Sequence, residues 1–86
     1  MPEISKFYGI VIYLNLSDHN PPHIHAEYAE FEALFDIRTA KIMTGMLPRT
    51  AKNLVSKWIK LHQIELLEDW NRATQKAPLF KITPLQ

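Results

Sequence analysis

Cysteine is absent from this 86-residue chain. That excludes disulfides, thiolate–zinc sites and a cysteine nucleophile, and it suits a reducing compartment. Long apolar runs are missing too: none approaches the roughly 18 residues of a membrane span. The opening Met1-Pro2-Glu3 carries an acid and no apolar core of signal-peptide length, so a cytoplasmic location without a membrane partner is expected. Charge of one sign is not in excess either, with ten Lys/Arg against nine Asp/Glu and a net charge of +1. Nonspecific nucleic-acid binding through charge alone normally shows as a basic excess. Contact with a short RNA segment stays open. Glycine is scarce, at two residues. The Ala29-Glu30 pair between two strand-like runs therefore turns without the Gly or Asn that a two-residue hairpin prefers, which implies a longer turn or strain.

What is present is ordinary globular material. An apolar fraction of 47% in so short a chain implies one domain, residues 1–86, with a single core. The pattern predicts an α+β fold, a small antiparallel β-meander of four main strands packed on one long or kinked C-terminal helix. Met1 to Phe7 is a short lead-in in which Ile4 and Phe7 can begin an edge strand before Gly9, read as a bend or bulge. Ile10 to Leu16 alternates, with Ile10, Ile12, Leu14 and Leu16 inward. His23 to Tyr28 and Phe31 to Ile37 follow, then Lys41 to Met46. Pro48 suits a helix start. Ala51, Leu54, Val55, Trp58, Leu61, Leu66, Trp70 and Ala73 form a stripe at helical spacing. The bases Arg49, Lys52, Lys57 and Lys60 precede the acids Glu65, Glu68 and Asp69, an order that opposes the dipole of one long helix. A continuous or kinked helix is nonetheless the expectation, ending at Ala77-Pro78, with Phe80 and Ile82 docking on the body.

The chemistry concentrates in one stretch, Asp18-His19-Asn20-Pro21-Pro22-His23-Ile24-His25-Ala26-Glu27-Tyr28. Three of the four histidines lie within seven residues. The Pro-Pro pair fixes backbone angles and stiffens the entry into a strand. From there His23, His25 and Glu27 point one way and Ile24, Ala26 and Tyr28 the other. The imidazoles are expected to look outward, away from the tryptophan-lined interior, so that His23→Ala costs under about 0.5 kcal/mol, as surface changes do. Three readings stand side by side. Asp18, His19, His23, His25 and Glu27 hold enough N and O ligands for zinc or a similar divalent ion, with His19, His23 and His25 as the metal set. A histidine pair can also act as base and acid in RNA cleavage without metal, with His23 and His25 catalytic and Arg49 or Lys41 as the cation for the phosphorane. The structural reading is a polar strand edge in which Asp18 and His19 tie down the Pro-Pro loop. His62 reads as a packing residue beside the helical stripe, and Glu65 and Glu68 as a solvated face.

These residues carry a likeness. Pro2-Glu3-Ile4-Ser5 with Phe7 and Gly9-Ile10-Val11-Ile12, the Asp18–Tyr28 motif, Leu47-Pro48-Arg49, Leu61-His62, Glu65-Leu66-Leu67 and Trp70 resemble the bacterial family called domain of unknown function 4160. The resemblance implies half of a two-gene, toxin–antitoxin-like unit whose neighbouring gene encodes a protein of the domain of unknown function 2442 type. It brings no established catalytic mechanism. It places function in the motif, with Asp18, His19, Asn20, Glu27 and Tyr28 as binding residues, and in Arg49, His62 and Glu65. RNA and a second copy of the chain are further candidate partners. The chain departs from the family pattern at Ala29-Glu30 and at Ala40, where glycine is common.

Overall fold

Alternation of apolar and polar residues builds most of the sheet, and its register shows how the histidine row is placed. The computed structural model describes residues 2–86. It contains β1 (Glu3–Phe7), β2 (Ile10–Tyr13), β3 (His23–Tyr28), β4 (Phe31–Asp36) and β5 (Ile42–Met46), then α1 (Arg49–Leu61) and α2 (Gln63–Thr74). The strands form one antiparallel sheet in the order β1-β2-β3-β4-β5, so the histidine strand is central. The expected α+β meander is therefore present, with five strands rather than four.

The added strand is β1, which pairs with β2 along its length. A register shift between Glu3 and Ser5 puts Ile4 and Ser5 inward side by side, which breaks the period of two. The second strand is shorter than its pattern. It ends at Tyr13, and Leu16 is exposed rather than inward. Tyr28 and Phe31 pair directly across Ala29-Glu30, so the tight hairpin forms. Ala29 meets its geometry at φ 52°, a left-handed conformation that costs a residue with a Cβ about 1–2 kcal/mol. Ala40 does the same at φ 61°.

Two helices replace the one expected. The break is His62, at φ −125° and ψ 27°, whose N–H donates to the Trp58 and Ile59 carbonyls as α1 ends. The charge order gives the reason. Lys60 sits in the last turn of α1 and Glu65 in the first turn of α2, where each complements a helix terminus. Gln63 Nε2 donates to the Ile37 and Arg38 carbonyls, tying the junction to the sheet. The break also shifts the phase of the stripe. Leu61 is 62% exposed, while Ile59 is buried.

The core lies between one sheet face and the helices. Ile10, Ile12, Ile24, Ala26 and Phe35 meet Val55, Trp58, Ile59, Leu66 and Trp70, and Trp58 lies 5.3 Å from the Phe7 ring. The C-terminal segment covers the outer edge of β1. The Ile82 N–H donates to the Ile4 carbonyl at 2.8 Å and Trp58 Nε1 to the Thr83 carbonyl at 2.9 Å. Ile82 docks as expected, but Phe80 stays exposed under the Arg72 guanidinium. No helix in the described residues is long and apolar enough to cross a membrane.

Candidate functional site

Cross-strand pairing sets the outer face. Tyr13, His25, Leu34 and Thr44 lie in one row across β2 to β5, Val11, Glu27, Glu32 and Met46 in the next, and His23 pairs with Asp36 at the end of the sheet. The elbow leads into this row. The Ile37 N–H donates to the Pro22 carbonyl, which extends the β3–β4 pairing into the Pro-Pro segment. The Ser17 N–H donates to the Ala73 carbonyl at the end of α2, so the loop is pinned to the second helix.

Three side chains converge there. Asp18 Oδ2 lies 3.0 Å from His23 Nε2 and 3.4 Å from His25 Nε2. One ligand atom from each of Asp18, His23 and His25 falls within 4.8 Å of the others. The second atoms of Asp18 and His23 are committed, while His25 meets both Asp18 and Asn15 through the same nitrogen, Nε2. Asp18 Oδ1 accepts the His19 N–H at 2.9 Å. His23 Nδ1 lies 2.8 Å from the Pro21 carbonyl, which can only accept, so Nδ1 is the donor. Asn15 Nδ2 lies 3.0 Å from His25 Nε2, and Asn15 Oδ1 is buried without a partner. Burial pushes the Asp18 carboxyl up. The His19 N–H and then the two imidazoles outweigh this, so it is held below the usual carboxylate range.

Burial overturns the outward orientation of His23. It is 6% exposed, its ring 5.3 Å from Trp70 and 5.4 Å from His25. The two histidines do share a side, as the period of two requires, but α2 brings Trp70 over the end of the sheet. His23 is thus covered on one flank by a tryptophan, and its two nitrogens are turned to the loop, to the Pro21 carbonyl and the Asp18 carboxylate.

The remaining residues distribute as follows. His19 and Asn20 are exposed; the His19 ring is outside the cluster, and its backbone serves Asp18. Glu27 accepts the Tyr13 hydroxyl at 3.2 Å, and burial, then the Glu27 charge and hydrogen bond, push that phenol up. Tyr28 packs against the core and lines a cleft with Tyr8, Pro48 and Thr50, at the opposite end of β3 from His23. Arg49 is exposed in the first turn of α1, beside that cleft. His62 Nδ1 lies 2.6 Å from Glu65 Oε1, with its ring 5.5 Å from Trp58. The structure therefore brings together Asp18, His23 and His25, and leaves His19, Arg49, Tyr28, His62 and Glu65 out of that cluster. A cleft of about 320 Å³ lined by His25, Glu32, Ala33, Leu34, Thr44 and Gly45 opens beside the exposed side of His25.

Sequence reasoning missed Asn15, which reaches His25 from the end of β2, and Asp69, which is fully buried. Asp69 Oδ1 accepts from Arg72 Nη1 at 2.8 Å and from the Phe80 N–H at 2.9 Å. Its spacing to Arg72 was the available signal.

No curated protein and no solved structure matches the chain significantly. One family model does, over residues 9–71, a span that contains the whole histidine motif, Arg49 and the helix junction. The chain belongs to the family described as domain of unknown function (DUF4160).

Proposed function

We propose that Asp18, His23 and His25 hold a divalent cation such as zinc, and that the protein is a small metal-dependent hydrolase. The convergence of three ligand atoms within 4.8 Å carries the reading. With Nδ1–H committed to Pro21, Nε2 of His23 is the ring atom turned to the Asp18 carboxylate, at 3.0 Å. A proton or a metal cation between those two atoms satisfies the contact. A metal ion would engage Asp18, His23 and His25 at once, in place of the contact that His25 Nε2 makes with the Asn15 amide. Nitrogen and oxygen ligands about 2.0–2.2 Å from a zinc ion stand about 3–3.5 Å apart; Asp18 lies at 3.0 Å and 3.4 Å from the two histidine nitrogens, and the three ligand atoms all fall within 4.8 Å. A backbone carbonyl holding the far nitrogen of a ligating histidine is the usual support for such a ligand.

Three protein ligands leave coordination positions for water and substrate. A zinc ion lowers the pKa of bound water to about 7. The cleft beside His25 gives a substrate access, and Glu32 on its wall is the carboxylate suited to accept the proton. A phosphodiester of RNA is the substrate class we favour; a metal ion held by Asp18, His23 and His25 would supply the nucleophile that a chain without cysteine otherwise lacks. For the biological setting we carry over what the family resemblance implies, a cytoplasmic toxin–antitoxin-like pair with a partner of the domain of unknown function 2442 type.

The test is to purify the untagged protein, measure bound metal, and assay RNA cleavage with and without chelator. About one equivalent of zinc, cleavage lost on chelation and restored by zinc, and loss of both in a folded His25→Ala variant are expected. Chelator-resistant cleavage that needs His23 and His25 replaces the metal with acid–base chemistry. No metal and no cleavage, with tight binding to the neighbour's product, overturns the enzyme and leaves a binding component.

A further inference from the structure

The two edges of the sheet are treated differently. The β1 edge takes the C-terminal segment through the Ile82–Ile4 hydrogen bond. The β5 edge has a neighbour on one side only. A sheet edge presents backbone donors and acceptors that another strand can satisfy. β5 reads Ile-Met-Thr-Gly-Met, without the lysine or proline that commonly blunts an edge; a register shift against Leu34/Phe35 and Gly45 at φ 82° interrupt its regularity, and Met43 and Met46 are exposed.

A basic trough runs beside this edge. One cleft, about 460 Å³, lies between the start of β5 and α1 and is lined by Lys41, Ile42, Lys52, Asn53 and Ser56. A second, about 360 Å³, shares Asn53 and Ser56 and continues along α1 past Lys57 and Lys60 to the exposed Leu61. The Ser56 hydroxyl donates to the Ala40 carbonyl at 2.9 Å and fixes the helix against the sheet. Helix α1 has no acidic residue. Among the described residues, none of Lys41, Lys52, Lys57 and Lys60 enters an ion pair.

We propose that the β5 edge and the adjoining lysine trough form a docking surface for an extended, acidic segment of a partner protein, which adds to the sheet as a sixth strand. Backbone pairing provides the attachment and side-chain charge the selection, as in other strand-addition complexes. Charge decides against a second copy of this chain as occupant: a two-fold β5–β5 contact sets one lysine-lined helix near another, and like charges repel. The bare edge and the exposed methionines decide against a nucleic acid, which needs neither. This surface does not include Asp18, His23 or His25, although Thr44 and Gly45 of β5 also line the cleft beside His25; the inference does not rest on the metal reading.

The probe is an end-capped peptide of alternating Glu and Val, titrated into the intact protein and followed by amide NMR. Shifts concentrated in Met43–Met46 and along the outer side of α1 are expected. Methylating alternate peptide nitrogens keeps the charge but removes the strand's donors, and should abolish binding. The charge-reversed pair Lys52→Glu/Lys57→Glu should weaken it at least about tenfold, with the fold unchanged by its amide spectrum. Absence of saturable binding up to about 1 mM, the weak end of specific affinity, overturns the proposal. So does binding indifferent to methylation, competition by an RNA oligonucleotide that binds more tightly, or a dimer that forms through β5 without peptide.

Discussion

His23→Ala gives the sharpest reading of how the motif is held. Three interactions disappear with the ring. The Nδ1–Pro21 hydrogen bond at 2.8 Å is worth about 1 kcal/mol net. The contact to Asp18 at 3.0 Å is charge-assisted and adds about 1–2 kcal/mol, limited because the Asp18 side chain is about a fifth exposed and water can replace the partner. Packing against Trp70 adds about 0.5–1.5 kcal/mol. Together these come to about 2.5–4.5 kcal/mol, a large share of the stability of so small a domain. At about 4–8 °C per kcal/mol, Tm falls by about 10–35 °C. Chemical denaturation in urea at neutral pH, with Asp18→Asn and the double variant completing a cycle, measures both the total and the coupling. A loss below about 0.5 kcal/mol, the figure for an exposed side chain, refutes the packing described here. A large loss without coupling to Asp18 refutes the hydrogen-bond account while sparing the stacking one.

Three further outcomes follow from particular contacts. Asp18 has its folded pKa held below the unfolded value, so its contribution to stability is present above the ordinary carboxylate range and is lost as pH falls through the depressed value; Asp18→Asn should flatten that acid limb in urea titrations across pH. Gly45→Ala should cost at least about 2 kcal/mol in thermal unfolding, because φ is +82° and an added Cβ would stand 2.3 Å from the Glu32 carbonyl oxygen. Ala29→Gly and Ala40→Gly should each be neutral to stabilising by up to about 1 kcal/mol by the same measurement, since relief of the left-handed strain offsets the entropy of glycine.

Period-two alternation made β2, β3 and β4 legible, along with the sharing of one side by His23 and His25. It failed at β1 because a bulge set Ile4 and Ser5 inward together, and a two-residue period cannot report that. The helix break was legible in charge order but not in hydrophobic spacing, which runs through His62 with a shift of phase. Within the site, the expected metal set was His19, His23 and His25, whereas the side chain that meets the two histidines is that of Asp18. Ser17 precedes it at φ 59°, and local composition does not encode which loop side chain turns in. The burial of His23 depends on Trp70 from α2, a contact between segments far apart in the chain. At Ala29-Glu30 the expected alternatives were a longer turn or strain, and the tight turn forms with Ala29 at positive φ; Ala40, noted only as a departure from the family pattern, also carries positive φ.

The C-terminal segment that lies along β1 sets a limit on assembly. One backbone bond, from the Ile82 N–H to the Ile4 carbonyl, holds the segment on β1, and contacts to Trp58 and Asp69 anchor it. A strand arriving at that border must first displace the segment, whereas β5 can be joined without displacing anything. Growth from both borders at once therefore carries an added cost.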